Sequence, residues 1–350
     1  MTLRTTDVDF YTYPSIGGDD WRYTFQTAVV RALETQALTG TALLDMANAE
    51  NFEQAVDLLA TSEYAPPQAD RSFGRMENIL RLRRTAAREL FANLMLDAPI
   101  VKLFRTRDDL ANLRLALRRM LTEKPIGSDY SSEGNFPPER FVEVFEEENY
   151  QLLPDYMAEA AEQAVLAYYR NRAPALREQK DIRQIDYAID RFGAEYNLKR
   201  ARRLKSPFLV GLFRLQIDLA NIRTMLRLKF TESEQRDVFL KGGYIELERL
   251  RYGLDIGYEA AGQLFFVTPY HRVAETAAGY LASDKSFLRA EQQCEEFLTG
   301  YLKTTIQITA GPQPIIAFLL MKENEIRTVR LILTAKKNSL DTKLILDRIS

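Results

Sequence analysis

Three acids, Asp109, Asp218 and Glu325, recur at intervals of 109 and 107 residues, and each has a cation just before it. Arg105 and Arg214 stand four residues ahead of the first two acids, and Lys322 stands three ahead of the third. Those spacings put carboxylate and cation on one face of a helix. Asn112 and Asn221 follow the first two acids by three residues, about one turn. Carboxylate, cation and amide in this order are the ingredients of acid–base chemistry, of a metal site or of a structural network.

The rest of the chain favours the network. With one histidine, His271, and one cysteine, Cys294, no Cys/His cluster for zinc or a transition metal can be assembled. A di-iron bundle needs paired Glu-x-x-His motifs, which a single histidine rules out. No Walker A or dinucleotide fingerprint is present, and no serine lies in a G-x-S-x-G elbow. Gly242-Gly243 is read as a helix stop and His271, in TPYHRVAE, as a surface or helix-start residue. No catalytic residue, metal or cofactor is therefore assigned, and an enzyme is not expected. The eight cassette residues Arg105, Asp109, Asn112, Arg214, Asp218, Asn221, Lys322 and Glu325 are assigned structural roles.

The elements that must position them follow from apolar spacing. Around the acids the sequence reads RTRDDLANLRLALRRML, then RLQIDLANIRTMLRLKF, then MKENEIRTVRLILTAKK, a threefold internal repeat. Each copy is led by a proline, Pro99, Pro207 or Pro314, suited to the first turn of a helix. The positions one, four, seven and eight after the acid are apolar in all three. They are Leu110, Leu113, Ala116 and Leu117; Leu219, Ile222, Met225 and Leu226; and Ile326, Val329, Ile332 and Leu333. At about 100° per residue they cover roughly a 120° arc, one core-facing stripe. The acid falls near the edge of that stripe, so its carboxylate is expected to be at least partly buried and to need a partner. Asparagine is a poor helix former, so Asn112 and Asn221 are expected to bond a neighbouring helix or loop. In the third copy Thr328 replaces the asparagine.

At 350 residues, with the repeat spacing, the chain is expected to form three helical units: 1–123 with an N-terminal lead, 124–233, and 234–350. Helices are expected from near Tyr23, over Asn51 to Tyr64, Arg75 to Leu96, from Glu139, over Asp155 to Arg172, Ile182 to Arg203, Tyr244 to Leu254, Tyr258 to Ser283 and Phe287 to Thr304. No sustained period-two alternation marks a strand, so the fold is expected to be all-α. The 47 basic and 49 acidic residues leave a net charge of −2, without the basic excess of a nucleic-acid binder. The basic runs Arg81 to Arg84 and Lys199 to Lys205 are read as solvated faces. A single cysteine excludes an intramolecular disulfide and fits a reducing compartment. The polar N-terminus resembles no secretory signal, and apolar runs such as Ile315 to Met321 are too short to span a bilayer.

The three cassettes in this order and spacing resemble the C-subunit family of V-type and A-type ATPases, whose members are also called d subunits. The Lys241-Gly242-Gly243-Tyr244 turn, the closing KENEIRTVRLILTAKKN, and Ala28, Arg31, Leu33 and Tyr64 near the start are similar to that family as well. The resemblance runs from about Trp21 to Ile349. It implies three similar helical domains in a funnel on the cytoplasmic face of the proteolipid ring. The partners implied are the shaft subunits D and F and the ring, and the role implied is non-catalytic coupling during proton or sodium transport. A helical adaptor of another assembly is the alternative.

Overall fold

The computed structural model describes residues 13–170, 181–233 and 235–349. Three helix starts near the beginning fall where capping residues stand. After α1 (Thr24–Glu34) comes α2 (Gly40–Asn48), where the Thr39 hydroxyl accepts from the Ala42 amide. Asn51 caps α3 (Phe52–Asp57) and Ser72 caps α4 (Phe73–Leu94) in the same way. Each such bond satisfies a first-turn N–H that has no partner inside the helix. The chain continues through α5 (Ala98–Leu121), α6 (Arg140–Phe145), α7 (Asp155–Arg170), α8 (Arg183–Arg203) and α9 (Pro207–Phe230). It closes with α10 (Leu247–Asp255), α11 (Tyr258–Leu264), α12 (His271–Asp284), α13 (Leu288–Lys303), α14 (Pro312–Lys337) and α15 (Thr342–Ile349). Among the described residues there is no strand, and the fold is all-α.

The three repeated stretches are the long helices α5, α9 and α14, with Pro99 and Pro314 in the first turns of α5 and α14 and Pro207 opening α9. The chain divides into two compact units. One comprises Met1–Leu96, Ile222–Glu234 and Glu248–Ser350; the other comprises Asp97–Asn221 and Gln235–Leu247.

In the second of these, the α5 stripe Leu110, Leu113, Ala116 and Leu117 shares a core with Ile126, Phe136, Phe141, Ile185 and Phe192. Tyr130 and Phe141 stack there with ring centroids 4.4 Å apart. In the first, the α14 stripe Ile326, Val329, Ile332 and Leu333 packs with Met46, Phe52, Leu59, Tyr64, Met76 and Leu80. Each such aliphatic side chain contributes about 1.5–3 kcal/mol by leaving water. The α5 stripe is thus covered by chain that follows it, and the α14 stripe by chain from the first ninety residues together with Ile345 of α15.

Three expected elements differ: the helix expected over Tyr258 to Ser283 is two, α11 and α12, parted between Leu264 and His271. The helix expected over Asn51 to Tyr64 stops at Asp57, and turns closed by Ser62 Oγ bring the Tyr64 ring into the core. Gly242-Gly243 stops no helix, because α9 already ends at Phe230; the pair lies in the loop between α9 and α10. The expected end of one helix at Arg172 lies outside the described residues.

Candidate functional site

Asp109, on α5, is fully buried. Its Oδ1 accepts from the amides of Asn135 at 2.7 Å and Phe136 at 2.9 Å. Its Oδ2 accepts from Asn135 Nδ2 at 2.8 Å and the Tyr156 hydroxyl at 2.7 Å. Four donors on two oxygens replace the water the carboxylate gave up, which is what makes a buried charge tolerable. One turn along, Asn112 binds both faces of the Ser131 peptide: its Nδ2 donates to Ser131 O at 2.8 Å and its Oδ1 accepts from Ser131 N at 2.9 Å. The helix therefore grips the loop from Ser131 to Phe136 at two points.

On α9 the grip recurs in register. Asp218, also fully buried, accepts from the amides of Tyr244 at 2.8 Å and Ile245 at 3.1 Å. Asn221 exchanges two bonds, both 2.8 Å, with the peptide of Leu240. The separations match the first copy: 19 residues from the asparagine to its loop residue, and 26 and 27 from the acid to its two amides. Just before those amides stand Gly134 and Gly243. A Cβ on Gly134 would lie 2.2 Å from Asp109 Oδ1, and one on Gly243 would lie 1.9 Å from Asp218 Oδ1. Only a residue without a side chain lets the loop approach the carboxylate this closely. The paired spacing of these glycines behind their acids is the sequence signal that would have found the loops.

The third copy holds a different loop. Glu325 on α14 accepts from the Leu38 amide at 2.9 Å, the Tyr64 hydroxyl at 2.5 Å and Lys322 Nζ at 2.7 Å. Lys322 also pairs with Glu63. Burial, then the charge of Glu325, pushes the Tyr64 phenol above its ordinary value, and burial with the bond to Asp109 does the same for Tyr156. Both phenols stay protonated and serve as donors. Thr328, where the asparagine stood, bonds only back to Asn324 O in its own helix.

The cations behave unequally. Lys322 meets its acid. Arg214 donates to Gly243 O at 2.8 Å and lies with its guanidinium 3.8 Å over the Tyr244 ring, bracing the loop that Asp218 holds. Arg105 is exposed and makes no bond to Asp109, whose oxygens are already filled. His271 opens α12 and sets Nδ1 2.7 Å from Gly262 O. Burial pushes the Cys294 thiol up to about 12, so it stays protonated and unreactive. A cavity of about 1180 Å³ in the first unit is bordered by Tyr13, His271, Arg272, Glu295 and Arg348. Its carboxylate Glu295 is bound by Arg348 and Arg327. Among the described residues no group of His, Cys, Asp or Glu could hold a metal ion.

The arrangement is one of buried acids committed to backbone amides. The family model for the ATP synthase (C/AC39) subunit matches residues 26–348 of this chain. The chain belongs to this family. It is 25% identical over 239 residues to the C subunit of the V-type ATP synthase of Thermus thermophilus, covering 68% of this chain and 69% of that protein. It is 22% identical over 326 residues to the C subunit of the V-type sodium ATPase of Enterococcus hirae, covering 91% and 95%. All three cassettes lie inside the family match, so the loops gripped by Asp109, Asp218 and Glu325 belong to the part of the fold this chain shares with its relatives. No helix among the described residues is long and apolar enough to cross a membrane.

Proposed function

We propose that the chain is a non-catalytic central-stalk subunit of a V/A-type rotary ATPase, joining the rotor shaft to the proteolipid ring of the membrane sector. On this reading the three cassettes mark three quasi-equivalent helical units arranged as a funnel on the cytoplasmic face of the ring. Subunits D and F of the shaft are its partners on one side and the ring on the other, and proton or sodium transport is the work of the whole complex.

The observation that carries the reading is the occupancy of the repeated acids. Asp109 has both oxygens filled by donors of its own fold, and the amides of Tyr244 and Ile245 reach both oxygens of Asp218. Such occupancy commits the carboxylates to the fold, which supports a structural role, and it can stiffen a helix–loop junction that must carry load. Family membership supplies the assembly in which such stiffness matters.

The test is a pull-down of the tagged chain from gently solubilised membranes of its own source, with partners identified by mass spectrometry. Recovery of the shaft subunits and the ring is expected. Recovery of neither, where the ATPase is present and intact, contradicts the proposal.

A further inference from the structure

The end of α8 and the turn into α9 carry charge of one sign. Between Glu195 and Asp218 the sequence contains Lys199, Arg200, Arg202, Arg203, Lys205 and Arg214, and no acid. Arg214 faces inward onto Tyr244. The other five occupy the last turn of α8 and the turn just beyond it. At 100° per residue, positions 199, 200, 202 and 203 fan over roughly 160°. The opposite side of the helix is fixed in the core by Leu198 and Ala201. Lys199, Arg202, Arg203 and Lys205 are exposed and Arg200 is half-buried.

None of these five side chains pairs with a carboxylate among the described residues. Other arginines of the same unit do pair: Arg118 with Asp186, and Arg119 with Asp129 at 2.6 Å. A sixth cation stands close by. The Lys241-Gly242 turn packs onto α8 so tightly that a Cβ on Gly242 would lie 2.7 Å from Leu198 Cδ2, and Lys241 beside it is exposed. One or two cations at a helix C-terminus complement its carbonyl end. Five in seven residues, with a sixth on the adjoining turn, exceed that need.

The character of the patch selects its partner. Protein interfaces are anchored on buried aromatic or aliphatic side chains, yet no large hydrophobic side chain between residues 181 and 229 is exposed. Single-stranded nucleic acid needs aromatic platforms for stacking, and that same stretch exposes none. A laterally spread group of flexible cations without an apolar centre fits a diffuse layer of anions, as at the surface of an anionic bilayer. We propose that the α8–α9 corner docks on the anionic headgroups of a lipid bilayer. The proposal rests on the reading of this chain as part of a membrane ATPase, because that reading brings it to a bilayer.

The test is flotation of the purified full-length chain with vesicles of phosphatidylcholine alone, or of phosphatidylcholine mixed with phosphatidylglycerol, at low and high salt. Binding is expected only to the anionic vesicles and is expected to fall steeply with salt. R202Q/R203Q/K205Q is expected to weaken it about a hundredfold, roughly fivefold per charge removed. K124Q/K303Q/K343Q, which removes three exposed cations elsewhere, is expected to change it less than about twofold on the same reasoning. Unchanged melting temperatures establish that both variants fold. Equal loss in the two variants, absence of vesicle binding, or capture of RNA or an acidic polypeptide in its place overturns the lipid assignment. If the pull-down recovers the shaft and the ring while vesicles go unbound, the lipid proposal falls and the assembly reading stands.

Discussion

In α5 and α9 the acid takes two successive amides from a loop 26 and 27 residues downstream, and the asparagine binds a peptide 19 downstream. In α14 the acid takes one amide 287 residues upstream, at Leu38, and a hydroxyl 261 upstream, at Tyr64. On α14 the carboxylate is satisfied by residues far upstream in the chain. Ion pairs add to the closure: Arg88 meets Glu323 at 2.7 Å and Arg330 meets Glu77 at 3.1 Å, tying α14 to α4. The comparison teaches that a repeat can keep its acid while exchanging the loop the acid holds. Thr328 stands at the asparagine's position where the acid holds upstream residues.

The largest expected break of that comparison is loss of the acid. Asp109→Ala leaves two backbone amides and a phenol without their acceptor in a buried site, while Asn135 Nδ2 keeps Lys102 O, and should cost about 3–5 kcal/mol in urea unfolding. Glu325→Ala should cost less, about 1–3 kcal/mol, because one backbone amide and the Tyr64 phenol lose their acceptor while Lys322 keeps Glu63. Equal losses would mean the two grips are energetically alike.

A smaller effect sharpens the role of the loop glycines. Gly243→Ala and Gly134→Ala force the loop off its carboxylate and should each cost about 1–3 kcal/mol. Gly279→Ala, on α12 with open space at its Cβ, should stabilise by about 0.5–1 kcal/mol in the same thermal melts. A last pair concerns the position one turn after the acid. Asn112→Ala strips both partners from the Ser131 peptide and should cost about 1–3 kcal/mol by urea unfolding. Thr328→Ala removes only a bond to its own helix and should stay within about 0.5 kcal/mol.

Much of this is legible in the sequence, and the limits have physical causes. The stripes follow from helical period alone, and Leu113, Ile222 and Val329 are fully buried as that period requires. The burial of Asp109 and Asp218 follows from their place at the stripe edge, and Glu325 at the same place is half-buried. Helices disfavour asparagine, so a bond to a neighbour is expected of Asn112 and Asn221, and both make one. What those bonds reach is not legible, since helix geometry says nothing about a loop returning from 19 residues away. Local rules make Gly242-Gly243 a helix stop because they weigh backbone freedom, whereas the requirement at Gly243 is room for Asp218. Arg105 and Arg214 share one spacing and differ in fate: Tyr244 offers Arg214 a ring to lie on, and Asp109 is already saturated. The Leu38 and Tyr64 contacts join residues separated by most of the chain, and no local pattern encodes such a pairing. The basic run at Lys199 to Lys205 is visible in the sequence; that its members pair with no acid among the described residues requires the structure.

Residue-resolved hydrogen exchange in the wild type and in Glu325→Gln tests the central claim, that the third acid holds the start of the chain. The account predicts faster exchange at the Leu38 amide in the variant, with Asn135, Phe136, Tyr244 and Ile245 unchanged. Unaltered protection at Leu38, or equal loss at all five amides, would contradict it.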